Sequence, residues 1–113
     1  GSGTPMREFL FVDDMAEAVV YALENELPEY LYNIGTGEDL TIKELAETIQ
    51  QVVGHEGNLV WDRSKPDGTP RKLMDVSKMH NLGWKHKIDL KQGIEKTYKW
   101  FIENIENFKE VKM

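Results

Sequence analysis

Segments of helical and strand periodicity alternate along this chain, and that alternation, more than any single residue, limits the folds open to it. Met15, Ala18, Val19, Ala22 and Leu23 recur at i, i+3, i+4, i+7 and i+8, which puts them on one helical stripe. The same period returns in Ile42, Leu45, Ala46, Ile49 and Val53, and again in Leu90, Ile94, Tyr98, Phe101 and Ile105. Between the stripes stand short β-favouring runs at Glu8–Val12, Tyr30–Ile34, Asn58–Trp61 and Leu73–Val76. An α/β fold of short strands with packed helices is expected. At 113 residues and 40% hydrophobic content, one domain with one core is the natural size.

The ends of the elements are marked by residues that satisfy backbone groups. Asp13 or Asp14 can cap the first helix, which Leu27-Pro28-Glu29 should end. Thr41 with Glu44, and Asp89 with Gln92, have capping-box spacing. Gly54 and Gly83 are placed to stop the second helix and a short helix from Lys78 to Leu82 that Ser77 would cap. The tail from Asn107 to Met113 has little periodicity and is expected to fray.

Two loops stand out chemically. Gly3-Thr-Pro-Met-Arg-Glu-Phe9 and Lys65-Pro-Asp-Gly-Thr-Pro-Arg-Lys72 each set Arg or Lys beside prolines, which present cations from stiffened backbone. Brought together, they would hold an anion. For Arg7 the plainer alternative is an ion pair with Glu8 or a neighbour. For Lys65, Arg71 and Lys72 it is a solvated loop, and for Asp67 it is a turn begun with Gly68. Two such loops in one chain put anion binding ahead.

Other chemistries lack their residues. The absence of cysteine excludes disulfides, thiol catalysis and thiolate-bound zinc, and fits a reducing compartment. A net charge of −6 argues against nucleic acid as a partner, and no run approaches a membrane span, so a cytoplasmic setting is expected. Gly35-Thr-Gly37 fails a dinucleotide fingerprint because Leu40 takes its sixth position, and Gly1-Ser-Gly3 fails because Met6 does; a tight turn is the expected role of Gly35 and Gly37. Counting four residues on from Tyr21, Tyr30, Tyr32 and Tyr98 never reaches a lysine, so these are read as packing residues. His55, His80 and His86 lack zinc-helix spacing, and no metal site is expected. The Asp13-Asp14 pair is explained by the helix start. No catalytic set is present, and the chain, which begins without methionine, is expected to be part of a longer polypeptide.

Taken together, Arg7-Glu-Phe-Leu-Phe-Val-Asp-Asp14, Tyr32-Asn-Ile-Gly-Thr-Gly37, Thr41-Ile-Lys-Glu-Leu-Ala46 and Asp75-Val-Ser-Lys78 followed by Leu82-Gly-Trp84 resemble the carboxy-terminal third of extended short-chain dehydrogenase/reductases acting on nucleotide sugars. The two basic loops narrow the resemblance to the branch that epimerises a GDP-4-keto-6-deoxy sugar at two carbons and reduces it with NADPH. The resemblance implies that residues 1–113 form a single small substrate-binding lobe. It also implies that Arg7, Asp67 and Lys72 contact the GDP-sugar, and that the Rossmann domain binding NADPH and the catalytic residues lie upstream. The full enzyme would then be a homodimer and this chain inactive alone. Phe11 stands where such proteins frequently carry His, which implies a change in packing. The rival readings are a lobe for a UDP- or dTDP-sugar, and a non-catalytic module that binds an anionic partner.

Overall fold

The structure, a computed structural model, describes residues 1–107. Two of its three strands begin immediately after a proline: β1 is Met6–Arg7, after Pro5, and β3 is Arg71–Lys72, after Pro70. The third, β2, is Leu40–Thr41. The order is β2-β1-β3. β2 lies antiparallel to β1, with Met6 opposite Thr41 and Arg7 opposite Leu40, and β3 lies parallel to it, with Met6 opposite Arg71 and Arg7 opposite Lys72. The first strand expected at Glu8–Val12 therefore starts earlier and is shorter. After Arg7 both neighbouring strands have left the sheet, so the next residues have no ladder to join, and Val12 already opens a helix.

That helix, α1, is Val12–Glu24, and Phe11 rather than an aspartate occupies its cap position. Asp13 and Asp14 sit in the first turn, where the helix dipole favours carboxylates. Asp14 is buried and serves a different segment: its two oxygens accept from the backbone N–H groups of Lys87 (3.2 Å) and Ile88 (3.0 Å). α1 ends at Glu24, ahead of the proline, and the Asn25 side chain donates to the Tyr21 carbonyl.

α2 is Ile42–Val53, with Thr41 Oγ1 accepting from Glu44 N at 3.0 Å and Gly54 closing it at φ 72°. α3 is Ser77–Leu82. Its first amide donates to Asp75 Oδ1, so Asp75 does the work expected of Ser77, and Gly83 ends it at φ 109°. α4 is Leu90–Asn104, started by the complete Asp89–Gln92 capping box and followed by a 3-10 turn, Ile105–Asn107. The rest of the tail expected to fray lies outside the described residues.

Ala18, Met79 and Trp84 form the buried cluster, with Leu10, Tyr21, Tyr32, Ile34 and Leu82 packed against it. Runs 30–34, 58–61 and 73–76 were expected as strands, yet none pairs with another among the described residues. The first is instead tied to α3 by Lys78 Nζ to the Leu31 carbonyl (3.2 Å), and to the residues ahead of α3 by Asn33 Nδ2 to the Asp75 carbonyl (3.3 Å). Much of the helical stripes faces outward: Leu23 is 82% exposed and Ile105 51%. α2 and α4 also flank an apolar groove of about 600 Å³ with residues 9–12 along its floor, where Phe11 packs on Gly93. The radius of gyration, 16.9 Å, exceeds the roughly 13 Å of a closed domain this long.

Candidate functional site

The pairing of β1 with β3 puts Arg7 directly beside Lys72, and residues opposite one another in a sheet share a face. The Arg7 guanidinium spends one donor on the Met6 carbonyl, 2.7 Å away. Its Nη2 lies over Gly68, where an added Cβ would stand only 3.3 Å from it. Gly68 thus leaves room for the cation to lie against the second loop. Among the described residues the other four guanidinium N–H groups have no hydrogen-bond partner. Lys72 is exposed and has no ion-pair partner among the described residues.

The acidic side chains beside these cations in sequence make other contacts. Glu8, the expected alternative partner of Arg7, accepts from Gly37 N (2.6 Å) and Thr36 Oγ1 (3.4 Å). Asp67 accepts from Ser2 N at Oδ1 (2.7 Å) and Ser2 Oγ at Oδ2 (2.6 Å). The Ser2 hydroxyl, then the Ser2 amide, hold the Asp67 carboxyl below its ordinary range despite its exposure. Arg71 is turned away, its Nε 2.6 Å from Asp39 Oδ2 and its Nη2 3.3 Å from Oδ1. Lys65 lies on an exposed turn in which Ser64 N donates to Asp62 Oδ1.

Several contacts bind the two loops into one platform. Met6 N donates to the Pro70 carbonyl at 2.8 Å, while Gly3 and Pro5 accept from Lys43 N (2.9 Å) and Ile42 N (3.0 Å) at the start of α2. Gly3 has φ +81° and lies under the Trp61 indole, so a Cβ there would come within 2.9 Å of the ring. The sequence therefore named three residues, Arg7, Asp67 and Lys72, that the fold gathers around one loop junction. It did not name Ser2 as the residue that holds Asp67, nor the Gly37 and Asp39 contacts that draw Glu8 and Arg71 away, because each of these partners is distant in sequence.

The Gly35-Thr-Gly37 turn is tight, as expected, with Gly37 at φ +75° against Val76. Because its Gly37 amide is occupied by the Glu8 carboxylate, a cofactor phosphate at this turn would meet a like charge, and the residues do not fit one. Tyr21 and Tyr32 pack against the core, the Tyr21 hydroxyl donating to the Leu82 carbonyl, and Tyr98 lines the apolar groove. Tyr30 departs from the packing role and is fully exposed. Among the described residues no group of three His, Asp or Glu side chains is placed to hold a metal ion, and no helix is long and apolar enough to cross a membrane.

A family model described as GDP-mannose 4,6 dehydratase matches residues 1–97, a span that includes both basic loops and all three strands. The chain belongs to this family. It lies within the extended short-chain dehydrogenase/reductases, whose small mixed α/β arrangement of short strands and helices it shares. Among relatives, the probable GDP-L-fucose synthase 1 of Oryza sativa subsp. japonica is 55% identical over 105 residues, covering 93% of this chain and 32% of that protein. The GDP-L-fucose synthase of Escherichia coli strain K12 is 55% identical over 118 residues, covering 96% and 37%. A crystal structure of a GDP-L-fucose synthetase from Naegleria fowleri bound to NADP superposes with a TM-score of 0.89 at 31% identity, covering 97% of this chain and 35% of that one. The chain spans about a third of the length of the family members it matches.

Proposed function

We propose that this chain is the GDP-sugar-binding part, the carboxy-terminal lobe, of a GDP-L-fucose synthase. That enzyme converts GDP-4-keto-6-deoxy-D-mannose to GDP-L-fucose by epimerisation at carbons 3 and 5 and reduction with NADPH. The observation that carries the reading is the pairing of Arg7 with Lys72 on one face of the sheet, both without a carboxylate partner among the described residues. A fork of donors beside a mobile ammonium suits a diphosphate: Arg7 makes directional contacts and Lys72 adds charge. Asp67 keeps lone pairs beyond its two bonds to Ser2 and accepts from a sugar or ribose hydroxyl. Holding the nucleotide in this way fixes the sugar's reacting carbons relative to groups supplied by the rest of the polypeptide.

The names of the relatives at 55% identity favour GDP over UDP or dTDP as the nucleotide. NADPH is assigned to an amino-terminal Rossmann domain outside this chain, because the glycine turn present here is filled by Glu8. We place the full enzyme in the cytoplasm as a homodimer, on the family resemblance. The test is Arg7→Ala and Lys72→Ala in the full-length enzyme. Each is expected to weaken GDP-sugar binding or turnover by about 1–3 kcal/mol, the scale of a lost charge-assisted contact. Unchanged kinetics in both variants would remove the site assignment.

A further inference from the structure

Arg71 and Lys72 are consecutive in β3, so their side chains leave opposite faces of the sheet. Lys72 shares a face with Arg7. Arg71 shares the other face with Met6, and Met6 is paired in turn with Thr41 of β2. From there Arg71 reaches across the central strand to Asp39, two residues before Thr41, with contacts of 2.6 and 3.3 Å. The pair joins β3 to the residue just before β2 over the back of β1.

Asp39 has a side chain only 7% exposed, against 60% for Arg71. A carboxylate that enclosed favours a paired arrangement, and Arg71 supplies the pairing donors. Two N–H donors on two oxygens also set direction as well as distance. The ladder itself specifies little, because β3 contributes only two residues. A slip of one residue would carry Lys72 to the face away from Arg7.

We propose that Asp39 and Arg71 are positioning residues for the GDP-sugar site: their bidentate ion pair holds β3 in the register that sets Lys72 beside Arg7. The idea rests on the substrate-binding reading of those two cations and adds the device that brings them together. Arg71 touches no ligand in this scheme and acts through Lys72.

The experiment is calorimetric titration of the full-length enzyme with GDP, for Asp39→Asn, Arg71→Gln, the double variant, and Arg71→Gln in a Lys72→Ala background. Each single variant is expected to lose about tenfold in GDP affinity, with the double variant no worse than either single one, as for partners in one interaction. Arg71→Gln should add nothing once Lys72 is gone. A full further loss in the Lys72→Ala background overturns the proposal, since a direct contact or a general loss of structure would act without Lys72. Weakening by Arg71→Gln but not by Asp39→Asn overturns it too, as the mark of an arginine that touches the ligand itself. If Arg7→Ala and Lys72→Ala weaken binding while Asp39→Asn and Arg71→Gln do not, only the positioning role falls. If none of the four changes GDP affinity, the binding reading falls with it. Should Arg71→Gln fail to fold, Arg71→Lys keeps the charge without the fork and is expected to show an intermediate loss; undiminished affinity there also overturns the proposal.

Discussion

Arg7 stays available because the carboxylate beside it in sequence is engaged: Glu8 accepts from Gly37 and Thr36 across the chain. The residue type and its place beside Pro5 were legible in the sequence, but the choice between an ion pair and a free cation was not. That choice depends on a turn nearly thirty positions away. Asp67 is a comparable case. Its pKa is depressed in the folded protein, so its bonds to Ser2 contribute at neutral pH, above its unfolded pKa, and fade as the pH falls through the lower folded value. Carboxyl-carbon NMR should therefore place the Asp67 midpoint below the ordinary value of about 3.9, and Ser2→Ala should move it back up. An unaltered midpoint in that variant would mean that Ser2 does not hold the carboxylate. Gly3 is constrained twice, by φ +81° and by the Trp61 ring. Gly3→Ala is expected to destabilise the junction of the two loops by about 1–3 kcal/mol, measured by chemical denaturation.

At the scale of elements, the helices were readable and the strands were not, for a physical reason. A helix satisfies its backbone from within, so Thr41, Gly54, Gly83 and the Asp89–Gln92 box act at the positions where local chemistry puts them. A strand needs a neighbour, and the β-favouring run 30–34 finds none among the described residues, whereas Met6–Arg7, flanked by proline, finds two. Asp14 shows the limit of reading caps locally. It sits where a helix-start carboxylate belongs, yet it anchors the approach to α4 through Lys87 and Ile88. Asp14→Ala would leave those amides without acceptors. We expect a loss of about 2–4 kcal/mol in unfolding free energy, while a change under about 0.5 kcal/mol would show that the anchor is dispensable.

For the whole molecule, the exposed apolar residues of α1 are the informative surface. Val19, Val20 and Leu23 are 47, 51 and 82% exposed, a large apolar face for a protein standing alone. The proposed amino-terminal domain would cover it. Leu23→Lys should then destabilise the full-length enzyme by about 2 kcal/mol or more while changing this isolated chain by less than about 0.5 kcal/mol. Equal small effects in both would leave the face uncovered in the intact protein. Purified alone, the chain is expected to show no NADPH-dependent turnover, and robust activity would overturn the division of labour between the two parts. By itself the sequence determined the helices, their stops and the two basic loops, because periodicity, capping and proline stiffness are short-range effects. The tertiary structure decided which cations are free, which carboxylates hold them in place and which β-favouring runs become strands, since each depends on a partner brought near only by folding.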